Sequence, residues 1–178
     1  SEEHSKSNYE NLSNYFDISK SCLVKNYYVK TAYNACCGGG YKNNFVSLCA
    51  LETCIKQGAR CLDLEIYSYN NEPIIAASTA NNNSIKETYN YLKFDDVFRN
   101  IIIQGLDNSE IGCHLDPMFL HFRIMSSNVK MFTKLNEIIN VYREEYPQHF
   151  INNSYYTPED GINGTNYNWH MTSSKLFF

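Results

Sequence analysis

The sequence predicts an α/β fold of barrel-type strands, on three observations. First, Gly58-Ala59-Arg60-Cys61-Leu62-Asp63-Leu64-Glu65-Ile66-Tyr67-Ser68 alternates as a strand does: Cys61, Asp63 and Glu65 share one face, and Arg60, Leu62, Leu64 and Ile66 share the other. Acids on one face and apolar residues on the other is the pattern of a (β/α)-barrel strand, with the acids aimed at the lumen and helices packed outside. Second, strand-like and helix-like segments alternate along the chain, which implies a parallel sheet with right-handed crossovers. Third, 178 residues fall short of the ~250 of a complete eight-unit barrel. The expected fold is therefore TIM-barrel-like but an incomplete or half barrel, with parallel strands and outer helices.

Residues 1–22 read as a polar lead-in with a short helix around Tyr9 to Ile18, residues 23–150 as the α/β domain, and residues 151–178 as a loop-rich tail. Tyr27-Tyr28-Val29 opens a β-prone segment that ends at Asn34, and Cys36-Cys37-Gly38-Gly39-Gly40 forms a loop. Phe45 to Gln57 carries Val46, Cys49, Leu51 and Ile55 at helical spacing and stops at Gly58, a suitable C-terminal cap. After the Cys61 to Tyr67 strand come a turn at Asn70-Asn71-Glu72, a short strand from Pro73 to Ala77 and a polar loop from Ala80 to Ser84. Phe94-Asp95-Asp96-Val97 opens a helix through Ile103, with its acids placed where the helix dipole favours them. Pro117 to Ile124 is another core strand, and a long helix from Asn128 to Glu145 bears Met131, Leu135, Ile138, Ile139 and Tyr142 along one side until Pro147 stops it. Asn152 to Asn168 reads as loop, and Ser174 to Phe178 as one more short strand.

A net charge of −4 and a pI near 5.7 provide no basic footprint for nucleic acid or an anionic bilayer. No stretch reaches the ~20 apolar residues of a membrane span, and Ser1 to Asn14 has no apolar leader core, so a soluble chain made in the cytosol is expected. The seven cysteines are odd in number and scattered through core segments, which suits buried small hydrophobes better than a disulfide framework or a zinc site. Asn11-Leu12-Ser13 and Asn163-Gly164-Thr165 match glycosylation triplets that an Asn-rich chain produces by chance. Of the histidines, His121 shares a face with Arg123, whereas His4, His114, His149 and His170 fall in loops or the tail without an evident partner. No nucleophile elbow, P-loop or dinucleotide fingerprint occurs.

Four segments in order resemble the X region of phosphatidylinositol-specific phospholipase C. That family's motifs are Ser-His-Asn-Thr, Gly-x-Arg-x-x-Glu-x-Asp, Pro-x-x-x-His-Gly and Leu-x-x-Glu. Here they correspond to Lys30-Thr31-Ala32-Tyr33-Asn34-Ala35, to Gly58 through Glu65, to Pro73-Ile74-Ile75-Ala76-Ala77-Ser78, and to Leu120-His121-Phe122-Arg123. The resemblance implies that Asn34, Asp63 and Glu65 stand at calcium-ligand positions, with the two acids exchanged in identity. It also implies that Tyr33 and Ala77 replace the two catalytic histidines and that Arg123 replaces the last acidic ligand. The wording of the strands is similar to divergent phospholipase-C-X-like proteins of large DNA viruses.

In the family's mechanism one His takes the inositol 2-hydroxyl proton, the other protonates the leaving group, and calcium neutralises phosphate charge. Ala77 transfers no proton, and a tyrosine of ordinary pKa near 10 is a poor base at pH 7. The resemblance thus implies a catalytically inactive domain without calcium, in which Asn34, Asp63, Glu65 and Arg123 form an ion-pair or phosphate pocket. Its expected role is structural or interactive, as a minor component of a large DNA virus particle, located in the virion or host cytoplasm. Protein partners or assembly neighbours are expected, because a partial barrel leaves sheet edges and an apolar face to cover. The competing reading is a divergent phosphoric diester hydrolase that uses His121 and Arg123 on a phosphoinositide or related phosphodiester, with calcium at Asn34, Asp63 and Glu65 as a further alternative.

Overall fold

A computed structural model describes residues 27–79, 85–151 and 174–178. The expected lead-in and its helix, the loop at 80–84, most of the tail, His4 and His170 lie outside the described residues.

A short strand β1 (Thr31–Ala32) leads through the glycine loop to helix α1 (Leu48–Lys56) and the long strand β2 (Cys61–Tyr69). Strands β3 (Glu72–Ala76) and β4 (Leu92–Lys93) follow, then helix α2 (Phe94–Ile102), which runs into a π-helical turn at Ile103–Asp107. Strand β5 (Met118–Ile124), helix α3 (Val129–Glu145), a 3-10 turn at Pro147–His149 and strand β6 (Leu176–Phe177) complete the described chain.

Caps set the helix boundaries. The Ser47 hydroxyl accepts from Ala50 N–H at 3.2 Å, so α1 starts after Val46 rather than at Phe45. The shift leaves Cys49 exposed, although it matched the helical spacing of the core positions. Gly58 takes φ 83°, a left-handed conformation that only glycine adopts cheaply, and turns the chain from α1 into β2. Asn128 caps α3 by accepting from Lys130 N–H at 3.0 Å.

The sheet runs β4-β3-β2-β5-β6, with β1 alongside the start of β2. Strands β1, β2, β5 and β6 are mutually parallel, whereas β2–β3 and β3–β4 are antiparallel. This corrects the expectation of an all-parallel sheet. The physical reason is the turn between Tyr69 and Glu72: Asn70 and Asn71 adopt φ of 51° and 66°, the two left-handed residues of a type I′ hairpin, which returns the chain antiparallel. The result is a mixed α/β fold whose curled sheet is a half barrel.

Leu62, Leu64 and Ile66 are completely buried and pack with Leu51 and Ile55 of α1, Phe94, Val97, Phe98, Ile101 and Ile102 of α2, and Met131 and Leu135 of α3. All three described helices therefore cover one face of the sheet, and Asp63 and Glu65 occupy the other. Arg60, on the helix side, spreads its guanidinium over three main-chain carbonyls: Pro117 at 3.3 Å, Gly105 at 2.6 Å, and Asp116. Those bonds tie the start of β2 to the turns before β5 and satisfy a charge that burial would otherwise make costly. A Cβ at Gly105 would lie 2.8 Å from Met118 Cε, so the methionine's terminal methyl would have to shift to admit one.

Candidate functional site

The parallel register of β2 and β5 sets His121 beside Asp63 and Arg123 beside Glu65. Because side chains alternate, all four point to the face that the helices leave uncovered. The chain leaving β1 adds a fifth group. Asn34 has φ 45°, a left-handed conformation that asparagine tolerates, and its N–H donates to Asp63 Oδ1 at 3.2 Å. Ala35 N–H donates to the Asp63 carbonyl at 3.0 Å, locking this turn to β2.

Arg123 is the hub. Its Nε donates to Asp63 Oδ2 at 3.0 Å, one terminal nitrogen to Asp63 Oδ1 at 2.7 Å and Asn34 Oδ1 at 2.8 Å, and the other to Glu65 Oε1 at 2.7 Å. The pairing with Asp63 is the bidentate fork in which a guanidinium is strongest. The Tyr33 ring covers the guanidinium at 4.5 Å, and Tyr41 meets Tyr33 edge to face at 5.6 Å. Glu65 is satisfied from three further directions: Asn34 Nδ2 at 3.3 Å, Tyr67 O–H at 2.6 Å and Ser78 N–H at 3.0 Å. His121 Nδ1 lies 2.7 Å from Asp63 Oδ2, with its side chain 66% exposed.

Electrostatics follow from burial and these partners. Burial alone would raise the Asp63 carboxyl, but hydrogen bonds from Arg123, Asn34 and His121 outweigh it and hold the carboxyl below its ordinary value. Burial would lower Arg123, and the Asp63 bonds together with the charges of Asp63 and Glu65 raise it instead. Burial, then the bond to Glu65, pushes the Tyr67 phenol up. Cys37, beside this cluster, is raised to about 11 by burial and by Glu65, so it stays a thiol near neutral pH. The cluster holds two acids, Asp63 and Glu65, against one guanidinium.

Asn34 Oδ1, both Asp63 oxygens and Glu65 Oε1 make a donor set of the kind a hard cation selects. Each of them accepts from Arg123, whose guanidinium occupies the place between them.

Ala77 is fully buried just after β3, and its carbonyl accepts from Glu87 N–H at 2.9 Å. The next residues, Ser78 and Thr79, are held by the Glu87 carboxylate, which accepts from Ser78 Oγ at 3.1 Å and from Thr79 N–H at 2.7 Å and lies 3.4 Å from Lys42 Nζ. The Thr79 bonds, first among these partners, hold the Glu87 carboxyl down to about 2. Tyr33, Asn34, Asp63, Glu65, Ala77, His121 and Arg123 thus lie in one contiguous region.

Tyr67 and the Ser78 N–H did not emerge from the motifs. Tyr67 was legible, since it follows Glu65 by two residues on the same strand face, whereas a backbone donor from a loop has no sequence signature. His149 and His114 correct the reading that the remaining histidines lack partners. His149 is buried, with Nε2 2.6 Å from Asp107 Oδ1 and Nδ1 2.9 Å from the Ser174 carbonyl, and His114 Nδ1 lies 2.9 Å from the Ile111 carbonyl. Both are contacts among turns, and none of their partners belongs to the Arg123 cluster.

No protein-family model and no curated protein sequence matches the chain. Among solved structures, the phospholipase C PLC21 of L. pealei superposes with a TM-score of 0.53 at 19% identity, over 72% of this chain and 15% of that one. The fold is phospholipase-C-like. PLC21 of S. officinalis gives a TM-score of 0.52 at 20% identity, over 70% of this chain and 15% of its own. At such identities the likeness is one of fold, and the chain spans 15% of the length of these neighbours. No described helix is long and apolar enough to cross a membrane.

Proposed function

We propose that this chain is a catalytically inactive phospholipase C X-like module with a structural or interaction role. The observation that carries the reading is the Arg123 guanidinium bound to Asp63, Glu65 and Asn34 at once. A fixed cation in the middle of the acids supplies the charge that calcium supplies in the family the sequence resembles, and four of its five N–H donors are spent on protein oxygens rather than offered to a phosphate. With Tyr33 and Ala77 at the positions of the two histidines, neither proton transfer has its usual agent. General acid and general base each contribute ~10²–10⁴ in rate, so the loss of both leaves little turnover. The proposed setting, a component of a large DNA virus particle held by assembly neighbours, rests on the sequence resemblance alone.

A second reading has one observation in its favour. The Asp63–His121 contact of 2.7 Å orients the imidazole of a side chain that is largely exposed, as in a carboxylate–histidine general base. In this reading the domain cleaves a phosphodiester with His121 as base and Arg123 as electrostatic partner. The two separate in an assay of inositol phosphate release from phosphatidylinositol vesicles, with EDTA and with millimolar calcium. The inactive module gives no release in either condition, and release abolished by His121→Ala would overturn it.

A further inference from the structure

A cleft of about 670 Å³ lies between the β2–β3 hairpin, β4 and helix α3, and shares no lining residue with the Arg123 cluster. Tyr69 and Tyr91 lie side by side in its lining, their rings 5.1 Å apart and tilted by 38°, and Val141 of α3 lines it too. These three remain 49%, 38% and 58% exposed, an unusual concentration of apolar surface around one opening.

The charges at the cleft do not balance. Glu72, Asp95 and Glu137 line it against Lys93 and Lys134, which leaves one net negative charge. Lys134 is taken up by Glu137 at 3.0 Å and Asp95 accepts from the Tyr142 hydroxyl at 2.8 Å, so the surplus charge lies with Glu72. An aromatic, apolar opening with excess negative charge favours a cation that loses water easily and lies flat on a ring. Guanidinium meets that description better than ammonium, being planar and weakly hydrated. The chain already holds its own guanidiniums in this manner, Arg123 over Tyr33 at 4.5 Å and Arg143 over Phe150 at 5.6 Å.

We propose that this cleft docks an arginine side chain presented by a segment of a partner protein, an inference that rests on the interaction reading above. The volume exceeds one arginine and accommodates apolar neighbours on either side of it. Among the described residues the two-residue strand β4 pairs only with β3, and an extended segment seated in the cleft would run beside it.

The test is an NMR titration of ¹⁵N-labelled protein with acetyl-Val-Arg-Val-amide, and with the Lys and Glu versions of the same peptide. Saturable amide shifts are expected at residues 69–74, 91–95 and 134–141, about fivefold weaker with the Lys peptide and absent with the Glu peptide. Tyr91→Ala should abolish the shifts and Tyr91→Phe retain them, which separates loss of the ring from loss of the fold, and Glu72→Gln should weaken binding. Amides at 63–65 and 121–123 should not move. Equal shifts with the Glu peptide, or none with the Arg peptide at its solubility limit, overturn the proposal. So does a dimer in sedimentation that Tyr91→Ala dissolves, which would assign the cleft to a second copy. Inositol phosphate release in the earlier assay would refute the inactive reading without touching the peptide result, so the two fail separately.

Discussion

Replacing Arg123 by alanine should reverse the protein's response to acid. In the wild type the Asp63 carboxyl sits below its ordinary value because Arg123, Asn34 and His121 donate to it against the effect of burial. A carboxyl lowered on folding contributes stability above its unfolded value of ~3.9, and that contribution is lost as pH falls through the folded value. Without Arg123 the Asp63 and Glu65 side chains, 6% and 1% exposed, are left with no cation between them. Breaking a buried pair from one side costs ~3–5 kcal/mol, and Arg123's partial exposure to solvent places the loss near ~3 kcal/mol at pH 7. Burial and mutual repulsion then raise a carboxyl instead of lowering it, so one proton relieves the strain. The variant should gain stability as pH falls from 7 toward ~5, where the wild type is flat. Urea denaturation in EDTA at several pH values measures this directly. Millimolar calcium should stabilise the variant, and Arg123→Glu more strongly, by binding to the folded form alone, and should leave the wild type unchanged. A variant within about 1 kcal/mol of wild type at pH 7, a wild-type pH slope in the variant, or a wild type stabilised by calcium would refute the reasoning.

Arg60→Met should keep the volume but strand three buried carbonyls, lowering stability by about 3 kcal/mol in urea melts, with unfolding cooperativity retained. Ser47→Ala removes the N-cap of α1 and should cost about 1 kcal/mol, whereas Ser47→Asp should cost almost nothing. His149→Ala breaks the contacts to Asp107 and to the Ser174 carbonyl, so amide exchange at Met118 and Phe119, which face β6, should accelerate while exchange in α1 does not.

The strand identity of Cys61–Tyr69, the opposite facing of its acids and its leucines, and the helices that follow Ser47 and Asn128 were all legible in the chain. Each is set by local period or by a cap a few residues away, and such signals survive in a single sequence. The antiparallel return of β3 was also encoded locally, in Asn70-Asn71, but two asparagines suit a loop as well as a hairpin. Only pairing with β2 selects between them. The ion-pair cluster belongs to the tertiary structure. Asp63 and Arg123 are 60 residues apart, and whether they meet depends on the register of β2 against β5, a slip of one residue in which would send Arg123 to the helix face. The same is true of Arg60, Tyr67 with Ser78, and His149 with Asp107, because a side chain's partner across the fold has no spacing to betray it. Which carboxyl is lowered is likewise undetermined until burial and donors are known. Sequence period specifies which way a residue points, and packing alone decides what it meets.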